Sequence, residues 1–154
     1  IQRRKTGVLD FFRTWSEYKE GFGNVGYEFW LGNDHISHVT LGGHYMLRVE
    51  LTSQADKTGL AEYEKFEVAT WDHDATQAKC ASKRHGAWWF KWCMNSNLNG
   101  KYGTGSGYER MTWQHWLGME GLKATEMKIR LATYHGRGGM WLRCQSGPTI
   151  GLLG

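Results

Sequence analysis

Two carboxylates one residue apart, in Asp72-His73-Asp74, are the clearest ion-holding pair in this sequence. On a turning backbone such a pair can converge on a hard cation while later carbonyl oxygens complete the shell. Calcium tolerates that irregular coordination better than magnesium does. The same spacing also describes a solvated turn. Shortly after it, Cys80 and Cys93 enclose twelve residues, a loop whose closure would add roughly 3 kcal/mol if oxidised. Cys144 is then left over. An oxidising compartment fits a structural pair with one odd thiol, and a reducing one fits three buried thiols. His35, His38 and His44 have no carboxylate or cysteine at ligand spacing, so neither a transition-metal cluster nor a four-ligand zinc site is indicated. No nucleophile elbow, local Ser, His and Asp signature, phosphate-cradling loop or zincin helix is present. Gly103-Thr104-Gly105-Ser106-Gly107 follows no apolar strand and leads into no Lys-bearing helix, and reads as a flexible loop.

These groups need a frame, and the apolar spacing supplies one. Phe11, Trp15, Tyr18 and Phe22 recur at three- and four-residue steps behind Asp10, predicting an amphipathic helix that ends at Gly21 and Gly23. A shorter helix is predicted from Gly32 to Val39, closed by Gly42 and Gly43. Tyr45, Leu47, Val49 and Leu51 alternate with Met46, Arg48 and Glu50, the period of a strand with one buried face. A second strand, with a phase change before Phe66, is predicted over Ala61–Val68. Met127, Ile129 and Leu131 alternate with Glu126, Lys128 and Arg130 and return to the sheet. The order predicts an α+β domain with a small antiparallel sheet, flanking helices and one large loop-built subregion, where function usually resides.

Length and charge narrow the classes. The 154 residues, 40% of them hydrophobic, are enough for one core. Nineteen basic against fifteen acidic residues are interspersed, so the net charge of +4 indicates no nucleic-acid arm. Arg3-Arg4-Lys5 reads as a solvated terminus. No stretch has the length of a membrane span, and Ile1-Gln2-Arg3-Arg4 lacks a signal peptide's apolar run. Most of the nine tryptophans fall between Trp71 and Trp116, where large rings must pack or face a ligand.

Eight blocks in order carry a resemblance. They are Asp10-Phe11-Phe12-Arg13-Thr14-Trp15, Glu17-Tyr18-Lys19-Glu20-Gly21-Phe22-Gly23-Asn24, Glu28-Phe29-Trp30-Leu31-Gly32-Asn33, Leu47-Arg48-Val49-Glu50-Leu51, Cys80-Ala81, Gly86-Ala87-Trp88-Trp89, Ser96-Asn97-Leu98-Asn99-Gly100 and Glu126-Met127-Lys128-Ile129-Arg130. Residues 1–130 thereby resemble the fibrinogen-like domain, with 131–154 an unrelated tail. The resemblance implies a secreted fold with a central antiparallel sheet, flanking helices and a calcium and ligand subregion. It pairs Cys80 with Cys93, and implies Ca2+ held by Asp72 and Asp74 with the carbonyls of Thr76 and Ala78. Some forty residues of the family pattern are missing between Val68 and Thr70. The acetyl-group pocket of lectin members is replaced by Trp92-Cys93-Met94, Arg84 and the Gly107-Tyr108-Glu109 stretch, which is bulkier and more apolar.

The resulting expectation is a non-catalytic extracellular domain that binds glycans or microbial surfaces in a calcium-dependent, lectin-like way, as in innate immunity. The alternative is a protein-binding module of matrix or receptor-ligand type. The expected binding rim is Arg84, Trp92, Cys93, Met94 and Tyr108, with aromatic stacking on a sugar face and Arg84 meeting a polar or acidic substituent. Trp88 and Trp89 are expected in the core. A homo-oligomer fits the weakness of single lectin sites.

Overall fold

A computed structural model describes residues 1–41, 43–63, 79–88, 95–131 and 151–152. In chain order the elements are β1 (Gln2–Arg4), α1 (Trp15–Glu20), β2 (Phe22–Gly23), β3 (Phe29–Trp30), α2 (Asn33–Thr40), β4 (Tyr45–Thr52), β5 (Thr58–Tyr63), α3 (Cys80–Arg84), β6 (Ser96–Asn97), β7 (Thr112–Trp113), α4 (Gln114–Leu117), β8 (Ala124–Leu131) and β9 (Gly151–Leu152). One antiparallel sheet runs in the order β2-β3-β1-β8-β4-β5-β9, and β6 pairs with β7 in a separate ribbon. The α+β expectation holds.

The sheet's centre is where alternation is strictest. Leu47, Val49 and Leu51 point into the core, and Val49 sits opposite Met127, each fully buried. On the outer face the register sets Arg48 against Lys128 and Glu50 against Glu126, like charges directly opposed. Ion pairs relieve that repulsion: Lys128 reaches Glu50 diagonally at 2.7 Å and Glu126 along its own strand at 3.2 Å, and Arg3, directly opposite Glu126, pairs with it at 2.7 Å. Being partly exposed, each contributes tenths of a kcal/mol, and together they keep this face in water.

Four expectations are corrected. Arg3-Arg4-Lys5 is not a solvated terminus: Gln2–Arg4 forms a strand between β3 and β8, and Arg4 is only 2% exposed. Helix α1 begins four residues later than predicted. Thr14 accepts from the Glu17 amide and Glu17 returns a carboxylate to the Thr14 amide, a reciprocal cap, whereas Asp10 turns locally to accept from the Phe12 amide at 3.0 Å. The apolar spacing still finds one cluster, with the Phe11, Tyr18 and Trp30 rings meeting Phe22 or each other at 5.0–5.3 Å. Strand β5 starts earlier than Ala61 because the Ser53–Lys57 turn, with Asp56 at φ 58° and Ser53 Oγ accepting from the Lys57 amide, reverses the chain sooner. Residues 64–68 of the predicted strand lie outside the described residues. Finally, the glycine-rich run is pinned, since the Gly105 carbonyl accepts from Gly121 at 2.7 Å and the Gly107 amide donates to Met119 at 3.0 Å.

Two glycines fix how α1 leaves for the sheet and α2 begins. Gly21 and Gly32 have φ of 99° and 105°, and a Cβ on either would lie 2.5 Å from a carbonyl oxygen of the opposing segment, Leu31 or Glu20 respectively. No other residue type meets both demands. At the far sheet edge Gly151–Leu152, from the segment read as an unrelated tail, pairs with Leu60 and Gly59 of β5.

Candidate functional site

The ribbon and α3 are tied to the sheet through the block Ser96-Asn97-Leu98-Asn99-Gly100. Its two asparagines are buried, and each spends its amide on a carbonyl of the preceding segment: Asn97 Nδ2 donates to the Arg84 carbonyl at 2.8 Å, and Asn99 Nδ2 to Ala87 at 2.9 Å. Asn99 Oδ1 in turn accepts from Gln2 Nε2 at 2.9 Å, and Gln2 Oε1 accepts from Thr125 Oγ1 at 3.1 Å. Arg4 completes the joint. Its guanidinium donates to the carbonyls of Leu98, at 3.1 Å, and Gly100, and lies 4.3 Å from the Phe11 ring centroid. Burial lowers its pKa to about 10, the neighbouring Tyr18 and Glu28 acting in the opposite direction, so it stays charged at neutral pH.

On this base sit the described members of the expected rim. Cys80 opens α3, is buried and is disulfide-bonded. Arg84 closes the same helix. Its Nη1 donates to the Tyr108 carbonyl at 3.2 Å and its guanidinium lies 4.5 Å from the Tyr108 ring centroid. Burial lowers its pKa, with Tyr108 and Glu109 opposing. Tyr108 is 53% exposed while Arg84 is 7% exposed. The structure thus brings these two residues together across 24 positions, but with the arginine beneath the ring and the ring outward. Beside them Glu109 directs its carboxylate toward Gly107, where a Cβ would come within 3.1 Å of it. The sequence reading places Glu109 in the stretch that replaces the acetyl-group pocket but leaves it out of the binding rim. Trp88 is buried, its indole N–H donating to Ser96 Oγ at 2.6 Å, as expected of a core ring. Trp89 lies outside the described residues. So do Trp92, Cys93 and Met94, and the implied calcium ligands Asp72, Asp74, Thr76 and Ala78. Among the described residues no three His, Cys, Asp or Glu side chains gather in a way that could hold a metal, and no helix is long and apolar enough to cross a membrane.

The fold is that of the fibrinogen-like globes. The chain belongs to the family described as fibrinogen beta and gamma chains, C-terminal globular domain, which it matches over residues 1–71 and 67–132. It is 36% identical to human tenascin-R over 163 residues, covering 84% of this chain and 12% of that protein. To fibrinogen-like protein A of Apostichopus parvimensis it is 36% identical over 166 residues, covering 84% of this chain and 59% of the relative. The chain therefore spans only a fraction of these relatives' length. The globe of human ANGPTL6 superposes with TM-score 0.79 at 28% identity, covering 86% of this chain and 77% of the other. Lamprey fibrin D-dimer, complexed with the peptide Gly-His-Arg-Pro-amide, gives TM-score 0.74 at 25% identity over 96% of this chain and 66% of that one. The family match divides at residues 67–71, where the sequence reading puts the missing segment.

Proposed function

We propose that this is a secreted, non-catalytic recognition domain whose contact surface centres on Tyr108, and that its ligand is an extracellular protein or peptide segment carrying a basic group. The observation that carries this is the arrangement of Arg84, Tyr108 and Glu109. The cation is buried under the ring, and the charged side chain next to the exposed aromatic in sequence is the half-buried carboxylate of Glu109. Such a surface takes a cationic or amphipathic side chain over the ring with the acid as its counter-charge. The disulfide at Cys80 supports an oxidising location, and the peptide held by the lamprey relative is itself basic. An acidic sugar, by contrast, would meet no open cation at Arg84. A neutral glycan stacked on the Tyr108 ring is the second reading, favoured by that ring's exposure.

The test uses immobilised Gly-His-Arg-Pro-amide and a glycan array. Tyr108→Ala is expected to weaken peptide capture about tenfold and to lower the free energy of unfolding by about 1 kcal/mol through the lost contact with Arg84, leaving the domain folded, and Glu109→Gln should weaken capture while sparing neutral glycans. Binding confined to glycans would replace the first reading with the second. Capture indifferent to Tyr108→Ala would remove the site.

Calcium is part of the proposal and rests on Asp72 and Asp74 as sequence. The two acids would neutralise the ion while the Thr76 and Ala78 carbonyls filled its shell, holding the loop before Cys80 in one shape. Added calcium at about 100 times its dissociation constant is expected to stabilise the parent by about 2.7 kcal/mol, read as a rise in melting temperature. In Asp72→Ala and Asp74→Ala that rise should vanish. An unchanged melting point in the parent would exclude calcium.

A further inference from the structure

Away from Tyr108, the chain gathers exposed lysines from separate segments around one phenol. Tyr102 Oη lies 2.7 Å from the Lys5 carbonyl and 2.7 Å from the Lys123 carbonyl, sharing one hydrogen between them. Those two oxygens are therefore less than about 6 Å apart, although 118 residues separate them in sequence. Lys101 precedes Tyr102, and Lys57 follows Asp56, which pairs with Lys123 at 2.5 Å. All four lysines are exposed. Lys5 and Lys101 make no ion pair among the described residues, and the acid nearest Lys5 is withdrawn, since Glu28 is buried under four backbone amides. The segments are also stiff. Glu28 clamps residues 5–9, the Lys101 amide and carbonyl bond Glu109 and Met111 at 2.7 and 3.0 Å, and the Lys123 amide bonds the Thr52 carbonyl at 2.8 Å.

We propose that the surface formed by Lys5, Lys57, Lys101 and Lys123 is a second binding site, for a sulfated polysaccharide. Strongly hydrated ammonium groups on flexible stems, carried by a fixed backbone, suit a flexible polyanion whose charges repeat along a chain, because affinity comes from counterion release more than from shape. A lipid surface is disfavoured. Val8, 90% exposed, is the large apolar side chain exposed on the Lys5 loop, and one valine falls short of the apolar face that membrane docking requires. The site uses none of the side chains of the Tyr108 surface, although the Lys101 amide bonds the Glu109 carbonyl, so loss of heparin binding and loss of peptide capture are separate outcomes.

The experiment measures binding of the whole chain to heparin, with neutral dextran, duplex DNA and phosphatidylserine vesicles as parallel arms, at about 0.05 and 0.15 M NaCl. The expected result is heparin binding that weakens with salt, exceeds the other arms, and falls about tenfold or more in the Lys5→Ser, Lys101→Ser, Lys123→Ser triple variant. Tyr102→Phe, which changes no charge but removes the bonds joining the Lys5 and Lys123 segments, should weaken heparin several-fold, and the conservative Lys5→Arg, Lys101→Arg, Lys123→Arg variant should bind as the parent does. Melting curves of each variant confirm the fold. The proposal is overturned if the parent fails to bind heparin at the lower salt, if the triple serine variant binds as well as the parent, or if DNA or vesicles bind more tightly than heparin.

Discussion

Glu28→Ala should lower the free energy of unfolding by about 3–5 kcal/mol, a large share of what a domain of this size possesses. The carboxylate is buried and accepts the amides of Lys5, Thr6 and Gly7 at 2.7, 2.8 and 2.9 Å on one oxygen and that of Leu9 at 3.0 Å on the other. Alanine would leave those donors unanswered under cover, the costly half of hydrogen-bond energetics. Acid should reproduce part of the loss. Burial alone would raise this carboxyl, but the amides, that of Leu9 foremost, outweigh it and hold the pKa at about 2 against a usual 4.5. A group depressed on folding stabilises above its unfolded pKa and loses that contribution as pH falls through its folded one. Stability worth about 3 kcal/mol is thus complete above about pH 5 and disappears toward pH 2. Urea unfolding of the parent and Glu28→Gln across that range should show their difference shrinking as pH drops. Parallel profiles would refute the assignment.

The second large effect belongs to Arg4. Its side chain is the plug between the sheet and the block 96–100, and removing it leaves the Leu98 and Gly100 carbonyls without their donor and a void against Phe11. Arg4→Ala is expected to cost about 3–5 kcal/mol, and Arg4→Met, which refills the volume but restores no donor, roughly half as much. The signature is local as well as global. Amide hydrogen exchange should accelerate at 96–100 and around Ala87 more than in β4 and β8, which hold each other through eight paired positions. Uniform acceleration would mean that Arg4 merely stabilises the whole.

What the sequence revealed follows from how far each signal reaches. Strands β4 and β8 were legible because Tyr45–Leu51 and Glu126–Leu131 each keep a two-residue period. The place of β1 was not, since Gln2-Arg3-Arg4 looks solvated until Met127, Leu98 and Asn99 are known to surround it, partners more than ninety positions away. The onset of α1 was mistaken between two local cues. Both Asp10 and Thr14 can cap, but only Thr14 has a glutamate three residues on to close the reciprocal bond. At the candidate site, Arg84 and Tyr108 were grouped by resemblance, not by any periodicity. Which of the pair faces water depends on packing that one-dimensional spacing does not encode.

The placing of β1 also governs how the molecule comes into being. Its long neighbour β8 opposes Gln2 with Met127 and Arg4 with Thr125, so everything between the two strands must be synthesised before β1 finds its permanent place. Until then that strand waits beside unfinished edges, and the loop-closure entropy is met late. Such a domain should mature slowly, only once β8 has been made, and lean on chaperones to guard its open sheet meanwhile.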